Sequence, residues 1–306
     1  MLSYQHEFHA GNHADILKHY VLLSVLNSLA KKDKPCAFFD SHAGTGIYDL
    51  YDGLSIKTGE ARNGIMRLAA ARDIPPELAP YMEFARGYLD SGRYPGSPEF
   101  ERRLLPSGSS LVLSELHPAE SGILRKNMRT AEHEKPSAVK VSIHERNGFE
   151  MLRALTPPQI KRGGLIIDPS YEEASDYTDT AETIISVHKK WASAVMLVWY
   201  PLIACKQDRT AGMLNRMTSE ILASAPHTEM VDLRLCVNSP DSHSETSLED
   251  YDRTKNPPRL YGSGILVINA PWHLDEYAAA ALKFIAEKTG IPGKSSSEVR
   301  KITGRT

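Results

Sequence analysis

Three cysteines in 306 residues, Cys36, Cys205 and Cys236, are too few and too widely spaced for a disulfide framework or a cysteine zinc site. Their scarcity fits a reducing cytoplasm. No run of about 18 apolar residues occurs, so no membrane-spanning helix is expected. The opening stretch, MLSYQHEFHAGNHAD, lacks a basic region followed by an apolar core, and no signal peptide is expected. An excess of charge is missing too. With 36 basic and 38 acidic residues the formal net charge is −2, so a polyanionic partner must be met by a local positive patch. Neither GxGxxG nor GxxxxGKS/T is present, which weakens dinucleotide and P-loop readings. His6, His9, His13, His19 and His42 come with no HExxH and no cysteine pair, so no metal site is expected.

What is present is ordinary globular composition, 41% hydrophobic and 24% charged. The length suits one large α/β domain with an insertion, or two small domains. From Ala14 to Ala30, Ile16, Leu17, Tyr20, Val21, Leu23, Val25 and Leu26 give a broad apolar helical face. Cys36–Asp40 reads as the first strand, Gly44 and Gly46 as a turn, and Ile47–Leu54 as a continuing helix. Residues 55–108 break the rhythm with short helices and a Gly/Pro-rich loop at Ser91–Pro98. This insertion either shapes a cleft or packs as an extension. Its basic residues, Lys57, Arg62, Arg67, Arg72, Arg86, Arg93, Arg102 and Arg103, are diluted by acids.

The βα rhythm then returns. Strands are predicted at Ser110–Ser114, Val139–Ile143, Leu165–Asp168, Ala194–Tyr200, Val231–Cys236 and Gly264–Ile268, with helices between most of them. Such alternation predicts a mostly parallel sheet covered on both faces. The organisation expected is a main domain of residues 1–54 and 109–290 with an N-terminal cap over 1–30, the 55–108 insertion, and a tail over 291–306, loose at its end. Residues 237–260 read as a long polar loop.

Ligands in α/β sheets sit beyond the carboxyl ends of strands, where Asp40, Glu115 and Asp168 fall. Leu165-Ile166-Ile167-Asp168-Pro169-Ser170-Tyr171 suits methylation of an exocyclic amine on a base. The tyrosine would stack on the flat ring, while the acid and nearby carbonyls accept hydrogen bonds from the NH2 group. The bland alternative is a strand-ending Asp-Pro turn with a packed tyrosine. Glu115 would either hold the ribose hydroxyls of an adenosine cofactor or stabilise a helix start. Asn147-Gly148 either meets an adenine or is simply a common turn. Lys18 would face a phosphate, a carboxylate or solvent.

Several segments together resemble the bacterial ribosomal large subunit RNA methyltransferase J family. They are Met1-Leu2-Ser3-Tyr4, Phe8 to Asp15, Leu17-Lys18-His19, His42-Ala43-Gly44, Tyr94 to Pro98, Glu115 to Pro118, the Asp168 motif, Trp199-Tyr200-Pro201 and Asn269 to Trp272. The resemblance implies a class I S-adenosylmethionine-dependent methyltransferase fold, Rossmann-like, its mostly parallel sheet carrying an antiparallel strand, with a helical insertion. It implies N6-methylation of one adenine in 23S rRNA, naked or in an early assembly particle; with no coiled coil or obvious exposed apolar stripe in the sequence, a monomer is expected. By the same likeness His19, His42, Gly44, Ser97, Glu115, Asn147, Gly148 and Asp168 line the cofactor pocket. Asp168, Pro169 and Tyr171 form the amine and base site, and Lys18 and His6 belong to a cap that closes on substrate. Two positions depart from the pattern: Ser170 stands where a second proline is usual, and Asn147 where relatives carry Asp. A DNA adenine methyltransferase, lacking here a DNA-reading domain, and a non-catalytic RNA-binding protein with the same fold are the alternatives.

Overall fold

The computed structural model describes residues 9–51, 59–134, 138–240 and 260–304. Helix α1, His13–Ala30, starts at Asn12, whose side chain accepts hydrogen bonds from Ala14 N and Asp15 N and so satisfies two of the helix's open donors. Ile16, Leu17, Val21, Leu22, Val25 and Leu26 are all fully buried. A helix apolar on nearly every side belongs inside the fold, and α1 is sandwiched there between the sheet and other helices.

In chain order there follow β1 (Ala37–Asp40), β2 (Ile47–Asp49), an irregular helical turn over Arg62–Met66 and Arg67–Ala69, α2 (Ala79–Leu89), β3 (Arg93–Pro95) and α3 (Ser97–Leu104). Next come β4 (Ser110–Ser114), α4 (Pro118–Glu134), β5 (Lys140–His144), α5 (Gly148–Leu155), β6 (Gly163–Ile167), α6 (Ala174–Lys190) and β7 (Val195–Ile203). The chain closes with α7 (Gln207–Ser224), β8 (Met230–Cys236), β9 (Leu260–Ile268), α8 (Leu274–Thr289) and β10 (Ser296–Ile302).

Among the described residues, one eight-stranded sheet has the order β10-β8-β9-β7-β6-β1-β4-β5, and β2 and β3 form a separate two-stranded ribbon. The β1, β4, β5, β6 and β7 pairings are parallel. Strand β9 runs antiparallel between β7 and β8, and β10 runs antiparallel along β8. Alternation along the strands divides the core into two layers. Phe38, Ile166, Leu197 and Val267 join α1, α2, α3, α4 and α8 on one side. Phe39, Leu165, Ile167, Met196 and Val198 join α5, α6 and α7 on the other. Strand order reverses at β1, which pairs with β4 on one side and β6 on the other. That reversal opens a crevice beyond the carboxyl ends of these strands.

One local expectation is corrected. Over residues 47–51 the chain does not continue as helix: Ile47 and Tyr48 pair with Pro95 and Tyr94 in the ribbon, where β-branched and aromatic side chains pack well; the rest of the expected Ile47–Leu54 helix lies outside the described residues. The tail, expected to be loose only at its end, also supplies a strand: Ser296–Ile302 pairs along its whole length with Cys236–Met230. Val299 and Ile302 turn into the two core layers, and Glu298, Arg300 and Lys301 keep this outermost strand charged. Most of the expected 237–260 loop lies outside the described residues. No helix among the described residues is long and apolar enough to cross a membrane.

Candidate active site

The crevice beyond β1, β4 and β6 holds a cavity of roughly 350 Å³. Most of its walls are ends of regular elements. Lys18 and His19 come from α1, Ser41 to Gly44 from the turn after β1, and Ser97 from the start of α3. Glu115 to His117 follow β4, Asn147 to Phe149 open α5, and Asp168 to Ser170 follow β6. Of the residues singled out in the sequence, Lys18, His19, His42, Gly44, Ser97, Glu115, Asn147, Gly148, Asp168 and Pro169 are brought together here. His6 lies outside the described residues.

The dominant electrostatic feature is a lysine held between two acids. Lys18 Nζ lies 2.9 Å from Asp15 Oδ1 and 2.7 Å from Asp168 Oδ2. Lys18 is 5% exposed and Asp15 1%. Burial alone would lower the ammonium's pKa, but the two carboxylates outweigh it and hold it well above the usual lysine value. The lysine therefore stays protonated. Asp168 Oδ2 is committed to it, and the second carboxylate oxygen is left as an acceptor at the cavity wall.

The glycine turn is tied to β4. Gly44 N donates to Glu115 Oε2 at 2.9 Å, and His117 N donates to Glu115 Oε1 at 2.8 Å. Each oxygen keeps a further lone pair for a ligand. Beneath the turn, buried Asp40 accepts from Ser97 Oγ at 2.7 Å and from His42 N at 3.0 Å. Burial pushes its carboxyl up to about 6 despite these bonds. Burial lowers His42 to about 4, against the pull of Asp168, so its imidazole is neutral at pH 7. His19 Nδ1 is hydrogen-bonded to Tyr94 Oη at 2.8 Å, and the ring stacks on Phe100.

At the opposite wall Asn147 caps α5, its Oδ1 accepting from Glu150 N, so its NH2 is the group left to offer a ligand. Gly148 is wedged under the β1 turn: a Cβ there would lie 2.0 Å from Ser41 O. Only glycine lets the two walls close this far. Ser170 Oγ makes a long local bond, accepting from Glu172 N at 3.4 Å.

Tyr171 departs from expectation. Its φ is 53°, in the left-handed region, and its fully buried ring lies with Tyr177, Trp199 and Met213 in the core layer of α6 and α7. The hydroxyl donates to Trp199 O at 2.8 Å. The ring is absent from the cavity lining, so it offers no face to a base, and the expected stacking on Tyr171 is corrected. Aromatic burial with a satisfied hydroxyl outweighs the strain of one positive φ. Tyr171→Ala is expected to cost about 3–5 kcal/mol of stability by urea unfolding. A variant as stable as the parent would show that the ring is not held in the core.

Sequence reasoning passed over Tyr48, Glu120, Glu172, Glu173 and Asp176, all on the cavity wall. Tyr48 was hidden by the helical reading of its segment. Glu172 and Glu173 directly follow the Asp168 motif and were legible. Asp15 was legible too, since it lies three residues before Lys18 on a helix. Glu115, Glu120, Asp168, Glu172, Glu173 and Asp176 line the cavity together with one lysine, Lys18. Such a cavity suits a ligand with cationic or NH-rich groups.

Comparison with known proteins agrees along the whole chain. The family described as "Ribosomal RNA large subunit methyltransferase D, RlmJ" matches residues 33–301. The Ribosomal RNA large subunit methyltransferase J of Escherichia coli K12 is 36% identical over 302 residues, covering 98% of both chains. Its namesake in Haemophilus influenzae is 35% identical over 311 residues, covering 99% of both. The crystal structure of protein LPL1258 from Legionella pneumophila is similar at a TM-score of 0.79 and 30% identity, covering 97% of this chain and 98% of that one.

Proposed function

The chain belongs to the ribosomal RNA large subunit methyltransferase J family, and from that premise we propose that it methylates the exocyclic N6 amine of an adenine in 23S rRNA. It is a methyltransferase with a class I Rossmann-like fold, and S-adenosylmethionine is its cofactor. The observation that carries the reading is Asp168 at the carboxyl end of β6, with one oxygen fixed by Lys18 and the other open to the cavity.

The residues present fit the cofactor. Glu115, already fastened to the glycine turn, has lone pairs for two ribose hydroxyls. The Asn147-Gly148 turn would meet the adenine, and His19, His42, Gly44 and Ser97 would complete the wall around it. The acid-rich lining favours a ligand carrying an ammonium and a sulfonium. When bound, S-adenosylmethionine supplies an electrophilic methyl group.

Asp168 and the adjacent backbone at Pro169 orient the target amine by accepting its hydrogens, so that the nitrogen lone pair points at the methyl group. Lys18, 2.7 Å from Asp168 Oδ2, holds that carboxylate in place and aimed. The raised pKa of Lys18 excludes it as the group that takes a proton. Deprotonation of the neutral amine beforehand is unnecessary, because the nitrogen becomes cationic on methylation and the proton then passes to Asp168 or water. His6 is assigned to the cap from its motif position. The substrate is naked rRNA or an early assembly particle, and the enzyme acts as a monomer.

The test is transfer of labelled methyl from S-adenosylmethionine to unmodified 23S rRNA, followed by nucleoside analysis. Labelled N6-methyladenosine is expected. Folded, cofactor-binding protein that labels DNA instead, or nothing at all, would overturn the assignment in favour of a DNA enzyme or a non-catalytic binder.

A further inference from the structure

We propose that Glu60, two residues before the irregular turn of the insertion, is a positioning residue for the Lys18–Asp168 pair, a role that rests on the reading of that pair given above. Glu60 reaches the site through the first turn of α1. Its carboxylate accepts from Asn12 Nδ2 at 2.8 Å and pairs with His9 Nδ1 at 3.0 Å. Asn12 is the N-cap of α1, and its Oδ1 accepts from Ala14 N at 2.9 Å and Asp15 N at 3.0 Å. The Asn12 amide is thereby held in one orientation. Backbone N–H groups only donate and a carboxylate only accepts, so a flipped amide would oppose donor to donor and acceptor to acceptor.

From the cap the connection continues by direct contact. Gly11 N donates to Asp15 Oδ2 at 2.9 Å, Asp15 Oδ1 holds Lys18 Nζ, and Lys18 holds Asp168. The backbones interlock as well. Ile65 N donates to Gly11 O at 2.8 Å. A Cβ on Gly64 would lie 2.2 Å from Gly11 O and 2.9 Å from Asn12 Cα. Arg62–Met66 is a π-helical turn in which Gly64 has non-helical φ −94° and ψ −110°. A helix is wound irregularly at some cost, and here the irregularity brings Gly64 and Ile65 against residues 11 and 12.

The insertion thus acts as an anvil for the N-terminus of α1. Lys18 reaches Asp168 from a helix whose own start is fixed from outside the main domain. A misplacement of about 1 Å at a reacting geometry costs on the order of 100-fold in rate. The role assigned to Glu60 is therefore read in the rate of the bound complex rather than in cofactor affinity.

The experiment measures single-turnover methyl transfer to unmodified 23S rRNA at saturating RNA and S-adenosylmethionine, with cofactor affinity by calorimetry. Glu60→Ala is expected to lose about tenfold or more in rate while cofactor affinity stays within about twofold. Glu60→Gln keeps an acceptor for Asn12 and is expected to recover most of the rate. Asn12→Ser keeps a capping side chain but loses the donor to Glu60, and should reproduce the Glu60→Ala defect if that variant folds poorly. In a Lys18→Met background, Glu60→Ala should cost little more, because the two act through one connection. Parental rate in Glu60→Ala or Asn12→Ser, equal losses of rate and affinity, or additive losses with Lys18→Met would each overturn the positioning role. An inactive parent in the same assay would overturn the rRNA assignment instead.

Discussion

Asp168→Asn is expected to lower single-turnover methyl transfer by about 10²–10³-fold, the loss of one preorganised group at a reacting centre, while the protein stays folded. The substitution keeps the shape of the side chain and removes its charge. Asp168 now gives Oδ2 to the Lys18 ammonium at 2.7 Å and presents its other oxygen to the cavity. An amide has only one acceptor oxygen. With that oxygen turned to Lys18, the NH2 faces the target amine, donor to donor. With the NH2 turned to Lys18, a donor faces an ammonium. Neither orientation serves both neighbours. The side chain of Asp168 is 15% exposed, so the structural penalty is smaller than the catalytic one. A variant with the parental rate would sink the assigned role, and equal losses of stability and rate would point to folding damage.

Lys18→Met carries the second large effect, on stability and rate together. Methionine fills a similar volume but leaves Asp15, 1% exposed, without its cation. Breaking a buried pair by removing one partner typically costs about 3–5 kcal/mol. The stranded carboxyl should be pushed above its unfolded value, so the native state binds the extra proton. Stability lost at pH 7 should therefore return in part as the pH falls toward 5, because a carboxyl raised on folding opposes the native state more as pH rises. Urea unfolding at pH 5 and pH 7 checks this. Adding Asp15→Asn to Lys18→Met should recover stability without recovering rate, since Asp168 still lacks the group that aims it. Recovery of both would reduce Lys18 to a structural counter-ion.

The contrast between these acids shows where sequence reading succeeds. Asp40, Glu115 and Asp168 were legible because each ends an apolar run, and strand-ends in a parallel sheet converge on one edge. The glycine turn and the Asn147-Gly148 turn were legible for the same reason: their position depends on the strand before them. The helix of Lys18 was visible from its spacing, but its partner was not, since Asp168 lies 150 positions away. The link from Glu60 to Asn12, across 48 positions, carried no signal either, because a helical insertion can pack in many ways.

Tyr171 shows the reverse failure, in which a local pattern pointed the wrong way. The Asp-Pro-Ser-Tyr motif placed an aromatic ring beside an amine site, yet a φ of 53° turns the ring into the core, where burial and the bond to Trp199 O hold it. The strand at Ser296–Ile302 was missed rather than misread, because its mostly polar residues carry no strand signal; β8 offers it an edge and two apolar layers for Val299 and Ile302. Periodicity and strand-end chemistry are properties of contiguous residues, so the chain alone determined the α/β alternation, the strand-end walls of the cavity and the acid that follows β6. Which cation aims that acid, which turn holds the cation's helix, and which aromatic is withdrawn from the cavity were decided by packing. These depend on distant segments competing for the same buried space, and no local pattern records the outcome of that competition.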